Sequence, residues 1–198
     1  MIDSLEFERA LQQFLNALEI AEHTKIPHLI GMSHMNIGIC YEELKDYNNA
    51  AIHLEFSIDI FEKSEHSFLT KALFAMAHVY AKKHNFDIAY NYFIKGRSEA
   101  ENKNDKEYIA KFKILEGLYF SNGEYELINE AFSYLADRKM FADMENFATE
   151  IGDYFYGEGE LELSNKFYRM SIEARRKIKR GEIINEDQPN SIGSNGVE

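Results

Sequence analysis

An all-α array of antiparallel helix pairs is the fold class this sequence predicts, and three observations predict it. Aromatic residues recur at Tyr41, Tyr80, Tyr119 and Phe155, spaced by 39, 39 and 36 positions. Each is followed by an apolar residue beside a turn (Tyr47, Phe86, Tyr125, Leu161), a mostly small one (Ala50, Ala89, Ile128, Ser164) and a bulky one (Leu54, Phe93, Phe132, Tyr168). Self-similarity at such a period marks a repeat architecture, in which each unit buries its apolar face against its neighbours. Apolar residues within the repeats follow three-four spacing, as at Met32, Met35 and Ile39 or Leu73, Met76, Ala77 and Tyr80, which is helical and not the alternation of a strand. Pro27 and Pro189 are the only prolines, and the one long Gly/Ser/Asn stretch is at the C-terminus.

The elements follow in order. An unpaired helix near 4–23 comes first, because the frame run backwards places Phe7, Ala10, Phe14 and Ala17 in trailing-helix positions and the leading aromatic at Met1. The first repeat thus lacks most of its leading helix, and the chain is expected to be a fragment of something longer. Four pairs follow: 28–44 with 47–64, 68–84 with 87–103, 106–121 with 125–137, and 140–156 with 160–180. Turn signals separate them at Lys45-Asp46, Asn85-Phe86-Asp87, Asn122-Gly123 and Gly157-Glu158-Gly159. Asp46, Ser67, Asp87 and Asp105 are expected caps, since their side-chain oxygens can accept from the first free amides of the next helix. Pro27 suits a first helical turn, where no N–H is missed. Basic residues Arg175, Arg176, Lys177, Lys179 and Arg180 before Gly181 read as a helix C-terminus complementing its dipole. Residues 1–181 form the expected repeat domain, and 182–198 are polar and expected to be disordered.

Composition narrows the function. The 45% apolar content supports a continuous core, and a mean hydropathy of -0.43 fits a soluble chain. A net charge of -12 argues against nucleic acid as the partner. Cys40 is the only cysteine, so no disulfide framework exists, and no run reaches the roughly 18 apolar residues of a membrane span. With no leader pattern in the first twenty residues, a cytoplasmic location is expected.

Small residues three before the aromatic, as Gly38 before Tyr41 and Ala77 before Tyr80, allow close helix contact. Gly38-x-x-Tyr41 with Ala50-x-x-x-Leu54-x-x-Ser57 matches the tetratricopeptide frame, as does Ala77-x-x-Tyr80 with Ala89-x-x-x-Phe93-x-x-Gly96. The expected fold is therefore a tetratricopeptide-like helical-hairpin solenoid of about nine helices, wound as a right-handed superhelix. The third repeat departs furthest, with Glu116 and Ile128 at small-residue positions.

Catalytic constellations are missing from the sequence pattern. Seven histidines (His23, His28, His34, His53, His66, His78, His84) form no H-E-x-x-H motif or zinc-spaced cluster, so no metal or cofactor is expected. Cys40 has no assignable base and reads as a packed thiol. The adjacent Glu42 and Glu43 read as solvated. A solenoid offers instead a concave face lined by its leading helices. On it the expected peptide-contacting residues are Met32, Met35, Asn36, Ile39 and Glu43, then Lys71, Phe74 and His78, then Lys113 and Phe120, then Glu150 and Asp153. Met and Phe give adaptable apolar contacts, and an Asn amide both donates to and accepts from a peptide backbone.

The ordered set Phe7-Glu8-Arg9-Ala10-Leu11, Met35-Asn36-Ile37-Gly38-Ile39-Cys40-Tyr41, Lys71-Ala72-Leu73-Phe74 and Ala131-Phe132-Ser133-Tyr134-Leu135 resembles the Rap family of response-regulator aspartate phosphatases of Bacillus and relatives. The resemblance continues through Phe167-Tyr168-Arg169, Glu173-Ala174 and Ile178-Lys179-Arg180-Gly181-Glu182 and covers nearly the whole chain, as the family's C-terminal part. It implies a repeat domain that binds a short Phr signalling peptide, with Asn36 where the family holds the peptide backbone. In that family an N-terminal three-helix bundle engages the response regulator; this chain matches the second half only, and phosphatase activity is not expected of it alone. Two readings stay open beside an enzyme: a peptide-binding regulatory module, or an interaction scaffold that could dimerise through Leu5, Leu11, Phe14 and Leu18 of the first helix.

Overall fold

The computed structural model describes residues 4–181. Within them nine helices occur and no strand: α1 (Ser4–Thr24), α2 (Pro27–Glu43), α3 (Tyr47–Lys63), α4 (Leu69–Lys82), α5 (Phe86–Asn102), α6 (Lys106–Tyr119), α7 (Tyr125–Asp137), α8 (Phe141–Gly157) and α9 (Leu161–Lys179). The expected helix pairs are all present, with boundaries within about two residues, the ordinary spread of helix ends. The tail 182–198 and Met1 lie outside the described residues. The chain divides into two compact units between Ala131 and Phe132, inside α7.

One turn geometry recurs between helices. Lys45, Glu65, His84, Asn104 and Lys139 each take a left-handed φ between 50° and 62°. The next residue then donates its N–H five positions back: Asp46 to the Tyr41 carbonyl at 2.8 Å, Asn85 to Tyr80 at 3.0 Å, Asp105 to Ala100 at 2.8 Å. This closure satisfies carbonyls orphaned at the helix end. It also decides which residue caps the following helix. After α2 and α5 the residue just past the left-handed position is Asp46 or Asp105, and each accepts from the amide three residues on at 3.2 Å. After α4 that residue is Asn85, which makes no side-chain cap bond, so Asp87 falls inside the first turn of α5 and does not cap it. Ser67 does not cap α4 either: Phe68 holds the cap position, and its N–H bonds His66 Nδ1 at 3.2 Å.

In the first unit, Leu54, Ile58 and Phe61 of α3 pack with Met35 of α2 and with Ala72, Leu73, Met76 and Val79 of α4 in one buried cluster. A second cluster joins Ala77, Phe93, Phe112 and Leu115 of α4, α5 and α6. Gly38 permits the α2–α3 approach, since a Cβ there would lie 2.7 Å from Leu54 Cγ and 3.1 Å from the Ala50 carbonyl. The corresponding contact in the third pair belongs to Gly117, whose added Cβ would lie 2.7 Å from Ile128 Cγ1. The sequence frame assigns that place to Glu116, one residue early. The wider turn at Asn122-Gly123, with φ of 51° and 75°, offsets the register, and Glu116 is free to bind Arg97 at 2.8 Å.

The second unit is built on the α8–α9 hairpin. Phe167 of α9 stacks on Phe155 at 5.9 Å and meets Phe132 edge-on at 5.4 Å. The basic end of α9 does more than face a dipole: Arg175 Nε donates to Glu145 at 2.6 Å, and Lys177 lies over the Phe141 ring at 4.8 Å.

Candidate functional site

The leading helices of the first unit, α2, α4 and α6, carry the polar and aromatic side chains expected to recognise a ligand. α2 supplies Asn36, half-buried, with no hydrogen-bond partner among the described residues. Its amide therefore keeps its full donor and acceptor capacity. Met32 and Ile39 flank it, half-buried and resting on the core. Met35 is different: it is 2% exposed and fills the core between α2, α3 and α4, so it offers no surface to a ligand. The i, i+3 and i+4 positions span an arc wide enough that one member of a helical stripe turns into the packed side.

Across from α2, His78 of α4 bonds Glu42 Oε1 through Nδ1 at 2.7 Å, and Lys82 Nζ lies 3.9 Å from the same oxygen. Glu42 is 8% exposed while Glu43 is exposed. Reading both as solvated fails for Glu42, because the azimuth of one faces α4. A buried carboxylate needs such partners, since an unpaired charge out of water is costly. Lys71 and Phe74 are half-buried on α4. Phe74 is tilted on His78 at 5.8 Å and meets Tyr108 and Phe112 of α6 edge-on at 5.9 and 5.2 Å. Lys111 of α6 bonds Glu107 at 2.7 Å and lies over the Tyr108 ring at 4.9 Å. Tyr119 of α6 faces His78 edge-on at 6.3 Å. Glu42, Lys82, Tyr108, Lys111 and Tyr119 thus join a set of which sequence periodicity found only part.

Four further expected residues lie on α6, just past its end, and on α8. Lys113 reaches Glu130 of α7 at 2.7 Å, and Phe120, just past the end of α6, packs on Phe93 and Tyr90 of α5 at 4.9 and 5.3 Å. Glu150 and Asp153 belong to α8 in the second unit, where Asp153 accepts from the Tyr168 hydroxyl at 2.6 Å. Cys40 is buried, and burial, then the charge of Glu43, pushes its thiol up, which favours the unreactive form. No group of three or more His, Cys, Asp or Glu able to hold a metal occurs among the described residues, and none of their helices is long and apolar enough to cross a membrane.

No family model matches the sequence. Response regulator aspartate phosphatase I of Bacillus subtilis (strain 168) is 65% identical over 194 residues, covering 98% of this chain and 50% of the relative. The chain is a Rap-family homologue. The crystal structure of the apo form of RapI matches with a TM-score of 0.85 at 64% identity, covering 91% of this chain and 66% of that one. A Rap protein complexed with competence and sporulation factor matches with a TM-score of 0.85 at 27% identity, covering 88% of this chain and 49% of that one. The chain spans about half the length of the curated Rap relatives it matches. The tetratricopeptide-like helical array expected from the repeat is thus the architecture shared with Rap proteins.

Proposed function

We propose that this chain is a peptide-binding regulatory module, with the α2–α4 face as its receptor surface for a short Phr-type signalling peptide. The observation that carries this reading is the match, over most of this chain, to a Rap protein complexed with competence and sporulation factor. The local chemistry agrees with it. Asn36 offers an uncommitted amide to a backbone, Met32, Ile39 and Phe74 offer apolar contact, and Glu43 and Lys71 stand beside them with charges of both signs. Mixed charge on a chain of net -12 suits a short peptide better than a phosphate backbone.

Titration with Phr-type pentapeptides and hexapeptides, read by calorimetry, tests it. Saturable binding should weaken at least about tenfold in Asn36→Ala, a loss of about 1.4 kcal/mol. A folded, helical chain that binds none of them would refute the reading. In the cytoplasm such a module would act through a response regulator only where the remaining half of a Rap protein is present. The purified chain should therefore leave a phosphorylated receiver domain intact; accelerated loss of the phosphoryl group would overturn this.

A second reading, a scaffold that self-associates, draws on α1. Leu5 and Ile20 are 54% and 66% exposed, and Leu11, Phe14 and Leu18 are only half-buried. Sedimentation at micromolar concentration decides it, a dimer supporting this reading and a monomer removing it.

A further inference from the structure

The outer face of α9 carries cations that the described residues leave unneutralised. Ser164, Phe167, Ser171 and Ala174 are the buried side of this helix. At about 100° per residue, the side opposite them is marked by Arg169, Ile172, Arg176 and Arg180. All four are exposed, Ile172 at 50%. The arginines have no ion pair and no side-chain hydrogen bond among the described residues. Glu173 is the acidic residue within this stretch, and it is exposed as well. Other cations of the same helix are engaged, Arg175 on Glu145 and Lys177 over the Phe141 ring. A helix dipole acts within the last turn, so it accounts for Lys179 and Arg180 but not for Arg169 or the exposed Ile172, both more than a turn from the end.

We propose that this face of α9 is a docking surface for an acidic amphipathic segment of another protein, a short helix whose carboxylates meet Arg169, Arg176 and Arg180 around an apolar residue seated on Ile172. The stretch from Arg169 to Arg180 is about 16 Å long, which a partner helix covers in about three turns. Guanidinium groups present forked donors that match carboxylates through paired hydrogen bonds. Charge decides between classes of partner. The chain holds 34 acidic against 22 basic residues, a net charge of -12, so the field around it repels a long polyanion such as DNA. A short segment with few charges meets less of that repulsion. A membrane surface fits less well, because an interfacial helix buries its apolar face in lipid. That face of α9 is already committed, with Phe167 packed on Phe155 and Phe132. The small area and the single central apolar group make the contact weak and salt-sensitive. It makes no use of the α2–α4 face and stands apart from the peptide-receptor reading.

The probe is a fluorescein-labelled helical peptide of about 14 residues, with glutamates at heptad spacing around leucine, read by anisotropy against the whole chain. Its glutamine-for-glutamate counterpart, a DNA duplex and phosphatidylserine vesicles are tested beside it. The acidic peptide should bind saturably below about 1 mM at low salt, and more weakly as salt rises from about 0.02 M to about 0.2 M. Arg169→Gln combined with Arg176→Gln should weaken binding at least about tenfold. Lys63→Gln combined with Lys103→Gln removes the same charge from lysines already paired with Asp59 and Glu99, and should leave binding unchanged. Ile172→Ser should weaken it without altering its salt dependence. Carbodiimide coupling of peptide carboxylates, mapped by mass spectrometry in the parent chain, should find Lys179, a readout that needs no variant to fold. No saturable binding of the acidic peptide, equal binding by the two double variants, or coupling confined to lysines outside α9 would overturn the proposal. Duplex or vesicles bound more tightly than the peptide, and lost with the same arginines, would overturn the assignment to an acidic segment.

Discussion

The ionisation of His34 bears on folding. Burial, then the neighbouring charge of His53, lowers its pKa from 6.5 to about 4, and burial lowers that of His53 in the same direction. The unfolded chain takes up these protons near pH 6.5, and the folded chain resists them until more acid conditions. The unfolded state therefore binds more protons in this window, so stability is complete above about pH 6.5 and falls as pH drops towards 4. Urea midpoints measured at fixed pH between 7.5 and 4 should fall accordingly, and the fall should be shallower in His34→Gln. Gly96 makes a different demand. A Cβ on it would strike the Phe112 ring and come within 3.0 Å of Leu73 Cβ. Alanine gains about 1 kcal/mol in helix propensity there, but overpacking in a filled core costs about 1–3 kcal/mol. Phe112 and Leu73 are 1% and 0% exposed, with no room to retreat. Gly96→Ala should therefore lower the denaturation midpoint; an unchanged or raised midpoint would mean α5 and α6 can separate freely.

At the scale of the element, the left-handed turns impose a common cost. Non-glycine residues in that region are strained by about 1–2 kcal/mol, yet Lys45, Glu65, His84, Asn104 and Lys139 all adopt it. The closures they permit bond orphaned carbonyls, which offsets the strain. Lys45 is exposed, so replacing it by glycine should relieve strain without removing packing, and we expect Lys45→Gly to stabilise by about 0.5–1 kcal/mol. Chemical denaturation checks this. The same element shows why some caps were legible and others were not. Asp46 and Asp105 immediately follow the left-handed residue, while Asp87 comes three after His84. Sequence identifies residues able to cap, and the turn selects the one that does.

For the molecule as a whole, the repeat architecture predicts uneven stability. Each helix of such an array is held by its neighbours alone. α1 packs on α2 and leaves Leu5 and Ile20 in solvent, whereas α3 is covered by both α2 and α4. Hydrogen exchange should therefore be fastest in α1 and slowest in α3 and α4, because local opening follows the density of buried contact. Equal protection of α1 and α3 would show that another surface covers α1 in solution.

The sequence by itself determined that the chain is helical, where the nine described helices begin and end to within about two residues, and that it resembles Rap proteins. Those properties live in local spacing: the 39-residue return of aromatics, the small residues that admit a neighbour, and the turn signals between them. Tertiary structure decided what faces what. It put Met35 in the core and left Asn36 unpartnered, turned Glu42 to His78 while Glu43 stayed in solvent, shifted the close-contact glycine of the third pair to Gly117, and brought His34 to His53. The reason is angular. Adjacent residues on a helix differ by about 100°, so a periodic pattern assigns a face only to within about one residue. Turn geometry and packing, which act between segments distant in sequence, fix the remaining rotation.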